Sequence, residues 1–134
     1  IFIPEYEDHP NTAAEVARVV YVSRDPQRDV DYFEKLFGKK AVAVAHDGFR
    51  FVGARGDVTE VLTLDAARAR YGEHLPQQNL ADAAGVGVAM HYSSRDLERC
   101  AAWLERAGVR FDAAGDRVIV PASEACGCTT VFES

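Results

Sequence analysis

Three side chains in this chain have types and positions suited to handling a small oxygen-bearing molecule: the imidazole of His91, the carboxylate of Glu133 and the guanidinium of Arg18. Each sits in or beside an apolar run that reads as a β-strand. Side chains two apart on a strand share a face, so His91 points where Ala89 points, and Glu133 where Val131 points. Imidazole changes protonation state with a small pKa displacement, so His91 can act as a general base or an irregular metal ligand. The plainer alternative is a histidine that is only hydrogen-bonded. Glu133 can hold a metal, take a proton from an activated carbon, or pair with Arg18 in a polar wall, and near the chain end it can also simply face water. Arg18 can receive a carboxylate or phosphate bidentately, or serve only as a pairing residue. Val20, Ala89 and Val131 are the apolar neighbours that would touch the body of a modest organic ligand. Catalysis would further need a proton-transfer group within roughly 3 Å of the reacting position. The catalytic residues are therefore left open, with His91 and Glu133 as candidates.

Other chemistries find little support. The serines at 93, 94, 123 and 134 sit in no Gly-x-Ser-x-Gly elbow, and no phosphate-binding or dinucleotide glycine loop is present. The net charge of −6, with arginines dispersed along the chain, disfavours nucleic acid. No apolar run approaches a membrane span, and no basic, apolar leader opens the chain. Three cysteines, Cys100, Cys126 and Cys128, form no disulfide framework, and their odd number points to a reducing, cytoplasmic setting. Cys126-Gly127-Cys128 has no second cysteine pair to complete a zinc site. His9, His46 and His74 fall in turns or irregular segments, where exposure is expected, and His9 or His74 would approach a cleft only if its segment folded over it. Tyr21 and Tyr92 have the opposite parity to Arg18 and His91, which places them on a helix-packing face, and Trp103 reads as core or as a module-interface residue.

The elements that must position these residues repeat. RVVYVSRDPQRDVDYFEKLFG at 18–38 and VAMHYSSRDLERCAAWLERAG at 88–108 share an order: apolar strand, Ser-Arg-Asp turn, amphipathic helix, glycine. Asp25 and Asp96 are placed to cap the two helices, with Pro26 at a first helical position. Strands are expected over Arg18–Val22, Lys40–Ala45, Phe49–Val52, Val58–Leu64, Val86–Tyr92, Val109–Phe111, Arg117–Val120 and Thr129–Glu133. Tight turns fall at His46–Gly48 and Ala113–Asp116. Asp65 is expected to cap a short helix from Ala66 to about Tyr71. Residues 73–84 form a crossover long enough to hold a helical turn or to occlude something. The fold class is thus α+β, with two βαβββ modules, about 17–65 and 86–133, forming one mixed-sheet domain around a cleft. Residues 1–16 are an arm in which Thr12 and Glu15 have capping-box spacing. Apolar Ile1–Ile3 and the open sheet edges predict a homodimer, or docking to a domain outside this chain.

RVVYVSRDPQRDVDYFEKLFG, GVGVAMHYSSRDLERCAAWLERAGV and the closing GCTTVFES resemble the vicinal-oxygen-chelate, or glyoxalase/bleomycin-resistance, superfamily over residues 17–133. The opening EYEDHPNTAAEV is similar to the lead into the later half of glyoxalase-like proteins with two such regions. The resemblance implies a cleft that binds a small molecule, with or without a divalent metal. Metal ligands in such proteins come from the first, fourth, fifth and eighth strands. Here the histidine positions fall at about Arg18 and Ala89, and the fourth-strand acid has no secure match, Glu60 lying early in that strand and Asp65 at its end. Glu133 alone matches a family ligand position well, that of the closing glutamate, so the resemblance implies Glu133 as a candidate metal ligand. Arginine and alanine cannot replace imidazole donors. The resemblance therefore implies a glyoxalase-like small-molecule-binding domain with a degenerate metal site. Its alternatives are a metal-dependent lyase, isomerase or dioxygenase, and a structural or dimerisation module.

Overall fold

A computed structural model describes residues 8–134; the apolar Ile1–Ile3 end lies outside the described residues. The strands are β1 (Ala13–Ser23), β2 (Val42–Ala45), β3 (Gly48–Val52), β4 (Val58–Leu62), β5 (Ala84–Ser94), β6 (Asp112–Ala114), β7 (Arg117–Val120) and β8 (Thr129–Glu133). The helices are α1 (Pro26–Phe37), α2 (Leu64–Tyr71) and α3 (Leu97–Arg106). One eight-stranded mixed sheet runs in the order β2-β3-β4-β1-β5-β8-β7-β6. Two βαβββ modules are visible in its pairing. In each, the first strand lies parallel to the last, β1 on β4 and β5 on β8, and the middle strands form hairpins. The modules meet where β1 and β5 run antiparallel, with Arg18 opposite His91 and Val20 opposite Ala89. Register shifts at Val16/Arg18 and Val20/Tyr21 interrupt this seam; such irregularities increase local twist and bend a strand.

The helices on the convex face start where the sequence provides caps. Asp25 accepts the Arg28 N–H at 3.2 Å, and Asp96 accepts the Arg99 N–H at 2.9 Å. Val30 of α1 packs with Phe49 and Val61, joined by Phe33 and Tyr21. Cys100 and Leu104 of α3 pack on Val118, Val120 and Phe132, joined by Tyr92 and Trp103. Burial pushes the Cys100 thiol up to about 11, so it behaves as a small apolar side chain.

Several expectations change. β1 begins at Ala13, not Arg18, because residues 13–16 extend the seam against β5. Thr12, read as a helix cap, instead has a positive φ of 62° and bonds Ser94 Oγ and the Asp96 carbonyl, each at 2.8 Å. α2 is capped by Thr63, whose hydroxyl accepts the Ala66 N–H, which leaves Asp65 inside the first turn. The sixth strand lies at Asp112–Ala114, because Val109 N–H closes α3 on the Leu104 carbonyl and Val109 and Phe111 pack beneath that helix. Its hairpin turn narrows to Gly115-Asp116.

The concave face is not an open trough. α2, the 3-10 turn Gly72–His74 and the chain to Ala83 cross it. Ala67, Tyr71, Leu75, Leu80 and Ala83 form one cluster with Val20, Val22, Leu62, Ala89 and Val131 from the sheet.

Candidate functional site

Strand alternation and register place Arg18 on β1, Glu60 on β4, His91 on β5 and Glu133 on β8 on the concave side, and α2 adds Arg70 and Tyr71 above them. Glu60 is the anchor. It is buried, and its Oε2 lies 2.9 Å from Arg18 Nη1 and 2.5 Å from Arg70 Nη1. Burial alone would raise the Glu60 pKa; the hydrogen bonds and charges of the two guanidinium groups reverse that and hold it below the ordinary carboxylate value. Arg70 is likewise held above its ordinary value, its Glu60 contact outweighing burial.

His91 stands beside this triad with its side chain almost fully enclosed. Its Nε2 lies 2.8 Å from the Tyr71 hydroxyl, and its Nδ1 lies 3.2 Å from Glu133 Oε1. Burial lowers its pKa despite the opposing pull of Glu133, which favours the neutral ring. The assignment that fits these neighbours has the Tyr71 O–H donating to Nε2 and a proton on Nδ1. Burial also raises the Tyr71 pKa, keeping that donor protonated. The Nδ1 to Glu133 approach is close in distance but poorly aligned, for Nδ1 makes no hydrogen bond; Arg18 Nε is buried and unbonded in the same way. Two unfilled nitrogen donors thus lie on residues directly opposed across β1 and β5.

The site residues read from the sequence divide into two groups. Arg18, His91 and Glu133 come together in this polar cluster. Val20, Ala89 and Val131 lie on the same face but are sealed beneath the crossover, at most 1% exposed. Glu60, weighed in the sequence only as an uncertain fourth-strand acid, is the hub of the cluster. Arg70 and Tyr71 had not been singled out. A charge at the centre of Val-Thr-Glu-Val-Leu, on the parity of Val58 and Leu62, is the signal that could have promoted Glu60. A hollow of about 280 Å³ opens beside the triad, lined in part by Ala45, Arg50, Glu60, Leu62 and Arg70. A larger one of about 420 Å³ lies between the start of β1 and the β3–β4 turn, and of the cluster it touches only Arg18.

The divalent metal implied by the resemblance does not fit this donor set. Glu60 is committed to two fixed cations, which would repel a third, and His91 Nε2 is occupied by Tyr71. Among the described residues no group of three or more His, Cys, Asp or Glu side chains is placed to hold a metal. No helix among them is long and apolar enough to cross a membrane.

Paired βαβββ modules, an antiparallel seam between their first strands and polar residues on the concave face define the vicinal-oxygen-chelate architecture. Solved structures share it. A variant of methylmalonyl-CoA epimerase from Streptomyces coelicolor, in complex with 2-nitronate-propionyl-CoA, matches with a TM-score of 0.53 at 13% identity, over 90% of this chain and 96% of that one. The epimerase from Mycobacterium tuberculosis matches with a TM-score of 0.60 at 12% identity, over 91% and 88%. A variant of homoprotocatechuate 2,3-dioxygenase from Brevibacterium fuscum matches with a TM-score of 0.60 at 11% identity, over 90% of this chain but 32% of that one. At such identities the likeness is one of fold. No family model and no curated protein matches the sequence.

Proposed function

We propose that this chain is a small-molecule-binding domain that meets the oxygens of its ligand with fixed side-chain donors in place of a metal. The observation that carries this reading is the pair of buried, unfilled donors, Arg18 Nε and His91 Nδ1, on facing residues of the seam. An unsatisfied buried donor costs about 1–3 kcal/mol, so an acceptor oxygen that filled both would bind with a corresponding gain. A carboxylate or carbonyl is the chemistry that fits. Glu60 is already neutralised by its two arginines, and Glu133, 3.2 Å from His91 Nδ1, is the acidic group that an anionic ligand would have to displace. The apolar body of the ligand would rest on Val20, Ala89 and Val131 once the crossover moved aside. Small carboxylates and acyl compounds are the class to screen, a choice supported by the acyl-CoA analogue held in the S. coelicolor epimerase.

Backbone NMR of the full chain against such a library tests the proposal. Saturable shifts are expected to cluster at residues 18–22, 87–92 and 129–133. Binding confined to another face would overturn this site.

One feature favours a second reading, a proton-transfer enzyme: a neutral imidazole set between the Tyr71 hydroxyl and the Glu133 carboxylate. Incorporation of solvent deuterium into a bound ligand, abolished in His91→Gln, would establish it; a bound ligand that never exchanges a carbon-bound proton would dismiss it.

A further inference from the structure

Beside its apolar packing on β5 and β8, the crossover makes a set of polar contacts to the second module through His74. His74 Nδ1 lies 2.8 Å from the Tyr71 carbonyl, and Nε2 lies 2.6 Å from Asp112 Oδ2 on β6. A carbonyl and an ionised carboxylate can only accept, so both ring nitrogens donate, which the imidazolium alone can do. The backbone carbonyl of His74 meanwhile accepts the Ala122 N–H at 2.9 Å and the Thr129 hydroxyl at 2.6 Å. Strand β6, the loop after β7 and strand β8 therefore converge on this turn. On either side of it, Tyr71 and Leu75 lie in the cluster that covers Val20, Ala89 and Val131.

We propose that His74 is a charge-dependent latch: as the imidazolium it holds the crossover over the cleft, and on losing its proton it frees the crossover and uncovers the apolar floor. The charged groups facing the ring are Asp112 from β6 and Glu73 from its own turn, both acidic. Ala122 and Thr129 are neutral and meet the backbone rather than the ring. The Asp112 hydrogen bond raises the His74 pKa, against the opposing effect of burial. A group whose pKa is raised in the closed form stabilises that form fully below its open-form pKa, and the effect is lost as pH rises through the closed-form value. The latch is therefore shut in mild acid and released on the alkaline side. The consequence for ligand entry rests on the small-molecule reading above, whereas the latch itself does not.

Backbone amide hydrogen exchange on the full chain between about pH 6 and 9, expressed as protection factors so that intrinsic base catalysis cancels, reads the latch directly. The His74 ring is titrated in parallel by NMR. Protection at Leu75, Ala83 and Ala122 is expected to fall several-fold as His74 deprotonates, while Val61 and Met90 in the sheet keep theirs. Asp112→Asn, at an exposed position, is expected to move the fall to lower pH, and His74→Gln to abolish its pH dependence. Protection that stays flat through the wild-type His74 titration would overturn the latch, as would a fall that persists unchanged in His74→Gln. A clear pH-dependent release with no ligand found at the seam would uphold the latch and count against the small-molecule reading alone.

Discussion

Replacing Glu60 by glutamine tests whether the carboxylate organises the cluster. The change keeps the shape and removes the charge that neutralises Arg18 and Arg70. For a fully buried ion pair, deleting one partner costs about 3–5 kcal/mol, because the other charge is left buried and uncompensated. The Glu60 side chain is 9% exposed, but its partners are 30% and 32% exposed, so water can partly rehydrate them. Solvent screening brings the expected loss down to about 2 kcal/mol. For a chain of this size that corresponds to a fall in Tm of roughly 6–8 °C. Urea unfolding at neutral pH would show the midpoint shift with an unchanged slope. Because the Glu60 pKa is lowered in the fold, its contribution is present above the unfolded carboxylate value and is lost as pH falls through the folded one. The gap between wild type and Glu60→Gln should therefore close in acid. The triple change Glu60→Leu, Arg18→Met, Arg70→Met should lie within about 1 kcal/mol of wild type, since apolar replacements of buried ion networks are often close to neutral. A loss below about 0.5 kcal/mol for Glu60→Gln, or an equal loss when both arginines are already methionine, would refute the coupling.

Gly48 has a φ of 148°, and a Cβ there would meet the Val61 carbonyl oxygen at 2.0 Å; Gly48→Ala is expected to cost about 3 kcal/mol or more by prising β3 from β4, and a calorimetric Tm close to wild type would contradict that. The His91 ring should titrate below the ordinary histidine value because it is buried. A lowered pKa means that its contribution is full above the unfolded value and declines as pH falls through the folded one. His74 acts with the opposite sign, so ring NMR separates the two, and a His91 titration at or above the ordinary value would sink the neutral-imidazole assignment. Elemental analysis after gentle purification should find less than one equivalent of divalent metal, given the arginine-committed Glu60 and the Tyr71-bound His91. Stoichiometric iron, zinc, manganese or nickel held by cleft residues would reverse the metal-free reading.

The repeat and the helix caps were legible in the sequence because they depend on local chemistry. Asp25 and Asp96 bond the N–H three residues on wherever the rest of the chain lies, and strand parity then places Arg18, His91 and Glu133 on one face. Other features depended on partners distant in sequence. Nothing local in Leu-Asp-Ala-Ala-Arg-Ala-Arg-Tyr says that Tyr71 turns down onto His91 while Arg70 reaches Glu60. The extension of β1 back to Ala13 is likewise set by its pairing with Tyr92, Ser93 and Ser94 of β5 rather than by its own composition. The hydrophobic floor was read as ligand-facing because alternation shows which side chains share a face, whereas the cover over that face comes from a crossover with no clean period.

The seam between β1 and β5 also bears on the order in which the chain assembles. The hairpins of β2 with β3 and of β6 with β7 join neighbours across two-residue turns. The parallel pairs close longer loops, such as Arg18 to Val58, and the seam closes longer ones still, such as Arg18 to His91. Loop-closure entropy rises with separation, and distant pairings are slow to form. The contact that brings Arg18 and His91 face to face is therefore among the last to be made. Until the seam closes, Arg18 and Glu60 stay with the first module and His91 and Glu133 with the second, so the polar cluster is complete only once the two modules have joined.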